Sequence, residues 1–175
     1  MMKQIKKTNL IVITGLIAAL VFVITRISIP SVNNRIIHFG DAVIYLAASI
    51  LPMRYAVFAG ALGAGLSDAL TPGCVQWIMP TLIIKSLMVL CFKSNTNKII
   101  CIRNIVSSLL AGTICIIGYY IAEAIIVGNY IIPLGGILSS FIQFSGSEIL
   151  FILIGISFDR MKIKNYFKRQ LEGES

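Results

Sequence analysis

The stretch TNLIVITGLIAALVFVIT, residues 8–25, contains eighteen consecutive residues without a charged side chain. Crossing the hydrocarbon core of a bilayer takes about 20 apolar residues in a helix. The rest of the chain has the same character, since 57% of its 175 residues are hydrophobic and only 13% are charged. A water-soluble globule of this size could not bury so much apolar surface. The sequence therefore predicts an all-α integral membrane protein.

Five further apolar segments follow the first one and are separated by polar or turn-forming stretches. Proline favours the first turn of a helix, which supports a helix start at Pro80. We predict a single domain, residues 1–175, with six transmembrane helices. The predicted ranges of these helices are 8–25, 41–51, 54–70, 80–92, 105–127 and 134–158.

The basic residues are distributed unevenly between the two sides of such a bundle. Twelve of the 15 lysines and arginines fall at the termini or between helices 2 and 3 and helices 4 and 5. Only Arg26 and Arg35 fall on the opposite side, and Lys85 lies within a helix. The positive-inside rule then places both the N and C termini in the cytoplasm. The net charge of +8 follows from this topology and from attraction to the lipid bilayer, so it does not indicate a nucleic-acid partner.

Motifs of catalysis and of metal binding are missing from the sequence. The four cysteines form no C-x-x-C pair, and a single histidine argues against a zinc site. Nucleophile-elbow, metalloprotease and P-loop patterns are missing as well. We therefore expect no enzyme activity, no metal and no cofactor. Cys91 and Cys115 lie in apolar helices, where free cysteine usually packs as a small hydrophobic residue.

Two charged residues lie inside predicted helices, where a charge costs about 3 kcal/mol and normally has a partner. Lys85 is about 8 Å below the outer end of helix 4, and Glu123 lies at a similar depth in helix 5. One interpretation is that they pair with each other and only stabilise the bundle. The other is that they belong to a pocket that is open to the outside.

Further polar and aromatic residues favour the pocket. Gln143 and Ser147 share one face of helix 6 with Ser140, and Glu148 lies deeper. Trp77 and Tyr119 would add flat surfaces, and we expect an aromatic ring of the ligand to stack between them. Trp77 alone is also compatible with a role as a membrane-interface residue.

The segment RIIHFGDAVIYLAA, residues 35–48, begins with polar residues and continues into an apolar helix. Asp41 is positioned to cap that helix, and Gly40 would let the chain turn tightly before it. The preceding external loop would fold over the pocket. The loop residues predicted to contact the ligand are Asn34, Arg35 and His38.

Small residues form stripes on two helices, and such stripes allow helices to approach closely in lipid. On helix 3, Ala56, Gly60 and Ala64 recur every four residues and lead to Asp68, for which we expect a structural role. We interpret this stripe as packing within the bundle. The stripe on helix 1 contains Gly15, Ala18 and Ala19.

Four segments occur in an order that resembles the S components of energy-coupling factor (ECF) vitamin transporters. They are GLIAALVFV, HFGDAVIYLAASILP, GALGAGLSDAL and W-x2-PTLIIKSLM, and the similarity covers residues 14–90. The Gly-Asp pair that opens helix 2 and the lysine of helix 4 are similar to the branch with riboflavin, pyridoxine and hydroxymethylpyrimidine carriers. The second half of the chain is similar only in its pattern of helices.

The resemblance implies a multi-pass protein of the bacterial cell membrane that binds a small water-soluble vitamin or its precursor. It also implies partners, namely a transmembrane T subunit and two ATPase subunits that would hydrolyse ATP. The family's A-x-x-x-A motif on helix 1 would dock onto the T subunit, and here Gly15 replaces its first alanine. A membrane scaffold of cell-envelope assembly is the alternative, although a scaffold has no need for clustered polar residues at one depth.

Overall fold

The structure is a computed structural model that describes residues 2–30, 36–93, 96 and 98–172. Within these ranges it contains seven α-helices, one two-stranded antiparallel hairpin and two short 3-10 turns. In chain order the elements are α1 (Met2–Arg26), β1 (Ser28–Pro30), β2 (Ile36–His38), α2 (Gly40–Ile50), α3 (Met53–Ala69), a 3-10 turn (Val75–Trp77), α4 (Ile78–Leu90), α5 (Ile102–Val127), a second 3-10 turn (Ile132–Gly136), α6 (Ile137–Arg160) and α7 (Ile163–Glu172).

All six predicted helices are present, with bounds that differ by a few residues. The first helix begins at Met2 rather than at residue 8. The sixth begins at Ile137, because the second 3-10 turn occupies the start of its predicted range. The hairpin and α7 were not predicted. In the hairpin Ser28 pairs with His38, which brings the end of α1 beside the start of α2.

The helices differ greatly in length. Three segments, Lys7–Arg26, Ile102–Val127 and Ile132–Arg160, are long and apolar enough to cross a membrane. Helix α2 has only 11 residues and so rises about 16 Å, roughly half of a hydrocarbon core. Its second residue, Asp41, contacts Lys85 and Cys115 near the middle of α4 and α5 and Gln143 in the first third of α6. Helix α2 therefore begins partway down the bundle rather than at its surface.

Small residues let α3 pack closely inside the bundle. Ala56, Gly60 and Ala64 are all buried. A β-carbon on Gly60 would lie 3.2 Å from the Ile44 side chain of α2, so an alanine there would crowd this contact. The interpretation of the α3 stripe as internal packing is confirmed.

Three buried aromatic rings form a layer across the bundle. Tyr45 stacks on Phe92 with 5.6 Å between ring centroids, and Phe151 meets both rings edge-on at 5.7 and 6.1 Å. All three side chains are at most 1% exposed. We call Tyr45, Phe92 and Phe151 the aromatic layer. It lies between the two ends of the bundle, which differ in the elements that they carry.

The end that carries the hairpin, the α3–α4 connection and the α5–α6 connection is called the hairpin end. The opposite end carries both termini and is held by polar contacts to backbone atoms. There the Asp159 carboxylate accepts hydrogen bonds from the amides of Ile99 and Ile100 at 2.8 and 2.9 Å. Lys164 of α7 donates to the Ser49 carbonyl at 2.6 Å, in the last turn of α2, where carbonyl groups lack helical partners.

Candidate ligand-binding cavity

A cavity of about 520 Å³ opens at the hairpin end of the bundle. All of the helices from α1 to α6 contribute to its wall, and β2 contributes through His38. This volume lies within the range of about 300–1,000 Å³ that is typical of small-molecule sites. The charged and aromatic side chains on its wall are Arg26, His38, Asp41, Tyr45, Asp68, Trp77, Tyr119, Glu123 and Phe144.

A buried ion pair lies at the bottom of the cavity. The Lys85 ammonium is 2.5 Å from Asp41 Oδ1, and both side chains are at most 3% exposed. The other carboxylate oxygen, Oδ2, accepts a hydrogen bond from Gln143 at 3.1 Å and a weaker one from the Cys115 thiol at 3.7 Å. Every oxygen of this carboxylate is therefore partnered, as a buried charge requires.

The predicted capping role of Asp41 is wrong. Residue Phe39 occupies the N-cap position of α2, and no side chain caps that helix end. Because α2 begins inside the bundle, Asp41 points at Lys85 and Gln143 instead of at its own backbone. Gly40 is needed for helix packing and not for the predicted tight turn. A β-carbon on Gly40 would collide with the Thr25 side chain, so glycine is required there for close approach of α1.

Lys85 lies one layer behind the cavity wall. Its side chain is 0% exposed, and it is not among the residues that line the cavity. Its ammonium contacts Cys115 Sγ at 3.6 Å and lies 5.2 Å from the centre of the Tyr119 ring. The prediction that Lys85 faces the pocket therefore needs correction. Asp41 lies on the cavity wall, and Lys85 contacts this carboxylate from the side that faces away from the cavity. Glu123 lines the cavity, whereas Lys85 lies behind the wall and forms its ion pair with Asp41.

Trp77 and Tyr119 form one aromatic wall. Their ring centroids are 6.1 Å apart and the planes are inclined by 54°. A third ring between them would need a separation of about 7 Å or more, twice the contact distance between carbon atoms. The expected stacking of a ligand ring between the two is therefore wrong for this arrangement. Both rings still line the cavity, and a ligand ring can pack against the wall that they form.

The hairpin is attached to α6 through His38. The backbone amide of His38 donates to Gln143 Oε1 at 3.3 Å, and the same amide group of Gln143 donates to Asp41. His38 Nδ1 is buried and has no hydrogen-bond partner among the described residues. Burial is the largest influence and lowers the pKa of His38 to about 4, which nearby Asp41 opposes and Lys85 reinforces. His38 is therefore neutral near pH 7.

Other predicted site residues have different locations. Asn34 and Arg35 lie outside the described residues. Ser147 is 0% exposed and does not line the cavity, so its predicted contact with a ligand is wrong in this arrangement. Glu148 accepts a hydrogen bond from Ser108 at 2.8 Å, away from the cavity wall. No cluster of three histidine, cysteine, aspartate or glutamate side chains suited to a metal ion occurs in the described part of the chain.

Several residues of the cavity wall were not predicted from the sequence, among them Thr81, Arg26 and Cys115. Thr81 lies 2.5 Å from Asp68 Oδ2 and 2.9 Å from the Tyr119 hydroxyl, so Asp68 belongs to the cavity as well as to α3 packing. Arg26 donates to the Thr71 hydroxyl at 2.7 Å and joins the ends of α1 and α3. Cys115 was interpreted as a packing residue, yet its thiol contacts the ion pair. Only the polarity of Thr81 and Arg26 could have indicated this from sequence.

The small residues of α1 face two directions. Gly15 and Ala19 are exposed, and a β-carbon on Gly15 would have no atom within 4 Å. Ala18 is half-buried, and its carbonyl oxygen lies so close to Gly63 of α3 that a β-carbon there would collide with it. Ala18 therefore packs inside the bundle, whereas Gly15 and Ala19 lie on an open face.

Comparison with known proteins gives one result that covers most of the chain. No curated protein and no solved structure matches it. The family model described as "ECF-type riboflavin transporter, S component" matches residues 5–160. That range includes every described residue of the cavity wall. The chain therefore belongs to the family of ECF-type riboflavin transporter S components.

Proposed function

We propose that the protein is the high-affinity substrate-binding subunit of an ECF-type importer. It captures a small, ring-containing, water-soluble vitamin or precursor of the pyridoxine, hydroxymethylpyrimidine or riboflavin class. The observation that carries this proposal is the open cavity of about 520 Å³ with polar groups and an aromatic wall. Polar groups are costly inside an apolar bundle, and a polar aromatic ligand would satisfy them. A scaffold of the cell envelope needs no such cavity.

In the proposed topology all of the helices α1–α6 are embedded in the membrane and both termini are cytoplasmic. Large apolar side chains cover the outside of the bundle, among them Leu16 at 66% and Ile125 at 72% exposed, as a surface that faces lipid requires. Most lysines and arginines lie at the end opposite the cavity. The positive-inside rule then directs the cavity outward, where it meets the vitamin.

Delivery into the cell requires partners in this proposal. A transmembrane T subunit and two ATPase subunits supply the energy, and family membership supports this division of labour. The open face of α1 with Gly15 and Ala19 supports docking of the T subunit there, since small residues allow close helix approach in lipid. Ala18 is left out of this docking face because it packs against α3.

Binding of vitamins to the purified full-length protein tests the proposal. Trp77 is the only tryptophan and lies on the cavity wall beside Tyr119, so its fluorescence should change when the cavity fills. We expect a saturable change with at least one B vitamin or precursor at submicromolar concentration. The variant Trp77→Phe serves as the control that assigns the signal. If calorimetry and fluorescence detect no binding across the whole panel, the proposal is wrong.

A further inference from the structure

Two helices that are long and apolar enough to cross a membrane carry an arginine at the end of the bundle where both termini lie. Arg160 is the last residue of α6, and Arg103 is the second residue of α5. Both are exposed and continue exposed apolar stripes, through Leu153 and Ile156 on α6 and through Val106 on α5. In the proposed topology these stripes face lipid, and arginine extends its charge to the membrane surface. The two arginines therefore mark the level of the phospholipid headgroups.

Helix α7 begins at the same level and lies across this end of the bundle. A tight turn joins it to α6, since Lys162 has a left-handed backbone with φ of 53° and its carbonyl accepts a hydrogen bond from the Tyr166 amide at 3.2 Å. The Lys164 ammonium donates to the Ser49 carbonyl at 2.6 Å and to the Thr96 hydroxyl at 2.9 Å. Helix α7 also contacts α1 and α6. It is therefore held against the bundle at the membrane surface.

The two sides of this segment differ in exposure. Ile163 and Phe167 are half-buried, whereas Tyr166 is 63% exposed and Met161, just before α7, is 71% exposed. At the headgroup level a tyrosine ring contacts apolar chains while its hydroxyl contacts water. Amphipathic helices with basic residues commonly lie in this layer. The exposed side of α7 therefore suits the surface of a membrane.

Basic side chains surround the two exposed residues. Arg103, Arg160 and Lys162 are exposed, and within the described ranges none of these three side chains forms an ion pair. The carboxylate of Asp159 is engaged by two backbone amides. Burial lowers the pKa of Lys164 most, and the charge of Arg103 lowers it further, although nearby acidic groups oppose this. The start of α5 and the start of α7 therefore bring positive charges close together.

We propose that Arg103, Arg160 and Lys162 bind the phosphate groups of anionic phospholipids, with Met161 and Tyr166 inserted among the lipids at the headgroup level. Arginine donates paired hydrogen bonds to phosphate, and acyl chains cover the apolar side chains. One ligand, an anionic lipid of the cytoplasmic leaflet, thus satisfies both the unpaired charges and the exposed apolar groups. We call these five residues the lipid corner. The inference goes beyond vitamin binding and rests only on the proposed membrane topology.

A single tryptophan on α7 tests the insertion. The variant Trp77→Phe/Tyr166→Trp has its only indole there. The full-length protein is placed in nanodiscs of phosphatidylcholine and phosphatidylglycerol without partner subunits, and one of the two lipids carries brominated acyl chains, which quench tryptophan fluorescence on contact. At equal content of brominated lipid, we expect quenching about twofold stronger when phosphatidylglycerol carries the bromine. Absence of quenching would show that α7 faces water or protein and would overturn the proposal, as would equal quenching by both lipids.

Charge variants in the same reporter protein test the basic residues. Arg103→Gln/Arg160→Gln should abolish the preference for phosphatidylglycerol, and so should Lys162→Asn in part, since asparagine tolerates the left-handed backbone. The control Arg54→Gln/Lys93→Gln removes two exposed basic residues on α3 and beyond α4 and should keep the preference. Retained preference in the first pair overturns the proposal. Equal loss in the control pair also overturns it, because the net charge and not the lipid corner would then select the lipid. Neither outcome bears on vitamin affinity, which is measured at the cavity.

Discussion

Removal of the Lys85 ammonium would leave a buried carboxylate without its cation. In Lys85→Met, the ion pair with Asp41 at 2.5 Å and the contact with Cys115 are both lost. Asp41 keeps only Gln143 and the weak thiol donor. Breaking a buried pair from one side costs about 3–5 kcal/mol, because the remaining charge stays desolvated. For a chain of this length that corresponds to a melting temperature lower by roughly 6–20 °C.

The double variant Lys85→Met/Asp41→Asn separates charge from packing. Neither position is then charged, and the introduced asparagine amide can still accept a hydrogen bond from Gln143, so most of the lost stability should return. Melting is followed by far-UV circular dichroism in detergent. Lys93→Met removes an exposed lysine near the end of α4 and should melt like the wild type. Ligand affinity should fall at least tenfold in the double variant, because Asp41 lines the cavity and loses its charge there.

Two results would refute this reasoning. If the double variant melts as low as Lys85→Met, the loss of stability comes from packing and not from an unpaired charge. If Lys85→Met melts within a degree or two of the wild type, the carboxylate of Asp41 is not buried as described. Unchanged ligand affinity in a folded double variant would show that the ion pair stabilises the fold but does not take part in ligand binding.

Three further predictions address the docking face, the hairpin and α7. Gly15→Trp and Ala19→Trp should leave ligand affinity unchanged but stop uptake in cells that also express the T subunit and ATPases. The control variant Ile117→Trp, on an exposed face of α5, should transport normally. Wild-type uptake in both α1 variants would exclude this docking face. Because the pKa of His38 is about 4 when folded and 6.5 when unfolded, the unfolded chain binds the proton first on acidification. The contribution of His38 to stability should therefore be complete above pH 6.5 and decline between pH 6.5 and 4, and His38→Gln should flatten this part of the dependence of melting temperature on pH. Lys164→Met should cost about 1 kcal/mol and speed proteolysis of α7 without a change in ligand affinity, since Lys164 holds α7 to the last turn of α2.

The apolar runs of the sequence predicted the six helices, but depth along a helix did not predict partners. Lys85 and Glu123 have similar depth, yet the rotation of α4 and α5 about their axes decides what each side chain contacts. Asp41 was assigned to a helix cap because a helix start usually lies at a surface. The length of α2 is the signal that was missed. A helix of 11 residues spans about half of a hydrocarbon core, so one of its ends must lie inside the bundle.

The hairpin and α7 were not predicted, for different reasons. Strands of three residues are too short for alternation to be recognised. Helix α7 is polar on average, but Ile163, Tyr166 and Phe167 recur at helical spacing, so its apolar face was readable from the sequence. The contacts of Thr81 with Asp68 and Tyr119 depend on three helices at once, and no local pattern indicates them.

The aromatic layer has a consequence for the electrical tightness of the membrane. Tyr45, Phe92 and Phe151 touch one another across the bundle and are almost inaccessible to water. An ion that enters the cavity would have to shed its water at this layer, where the phenol of Tyr45 is the one polar group that the three rings offer in exchange. The three rings therefore obstruct the path of an ion beyond the cavity. A cell should be able to keep many empty copies in its membrane without dissipating its proton or sodium gradients.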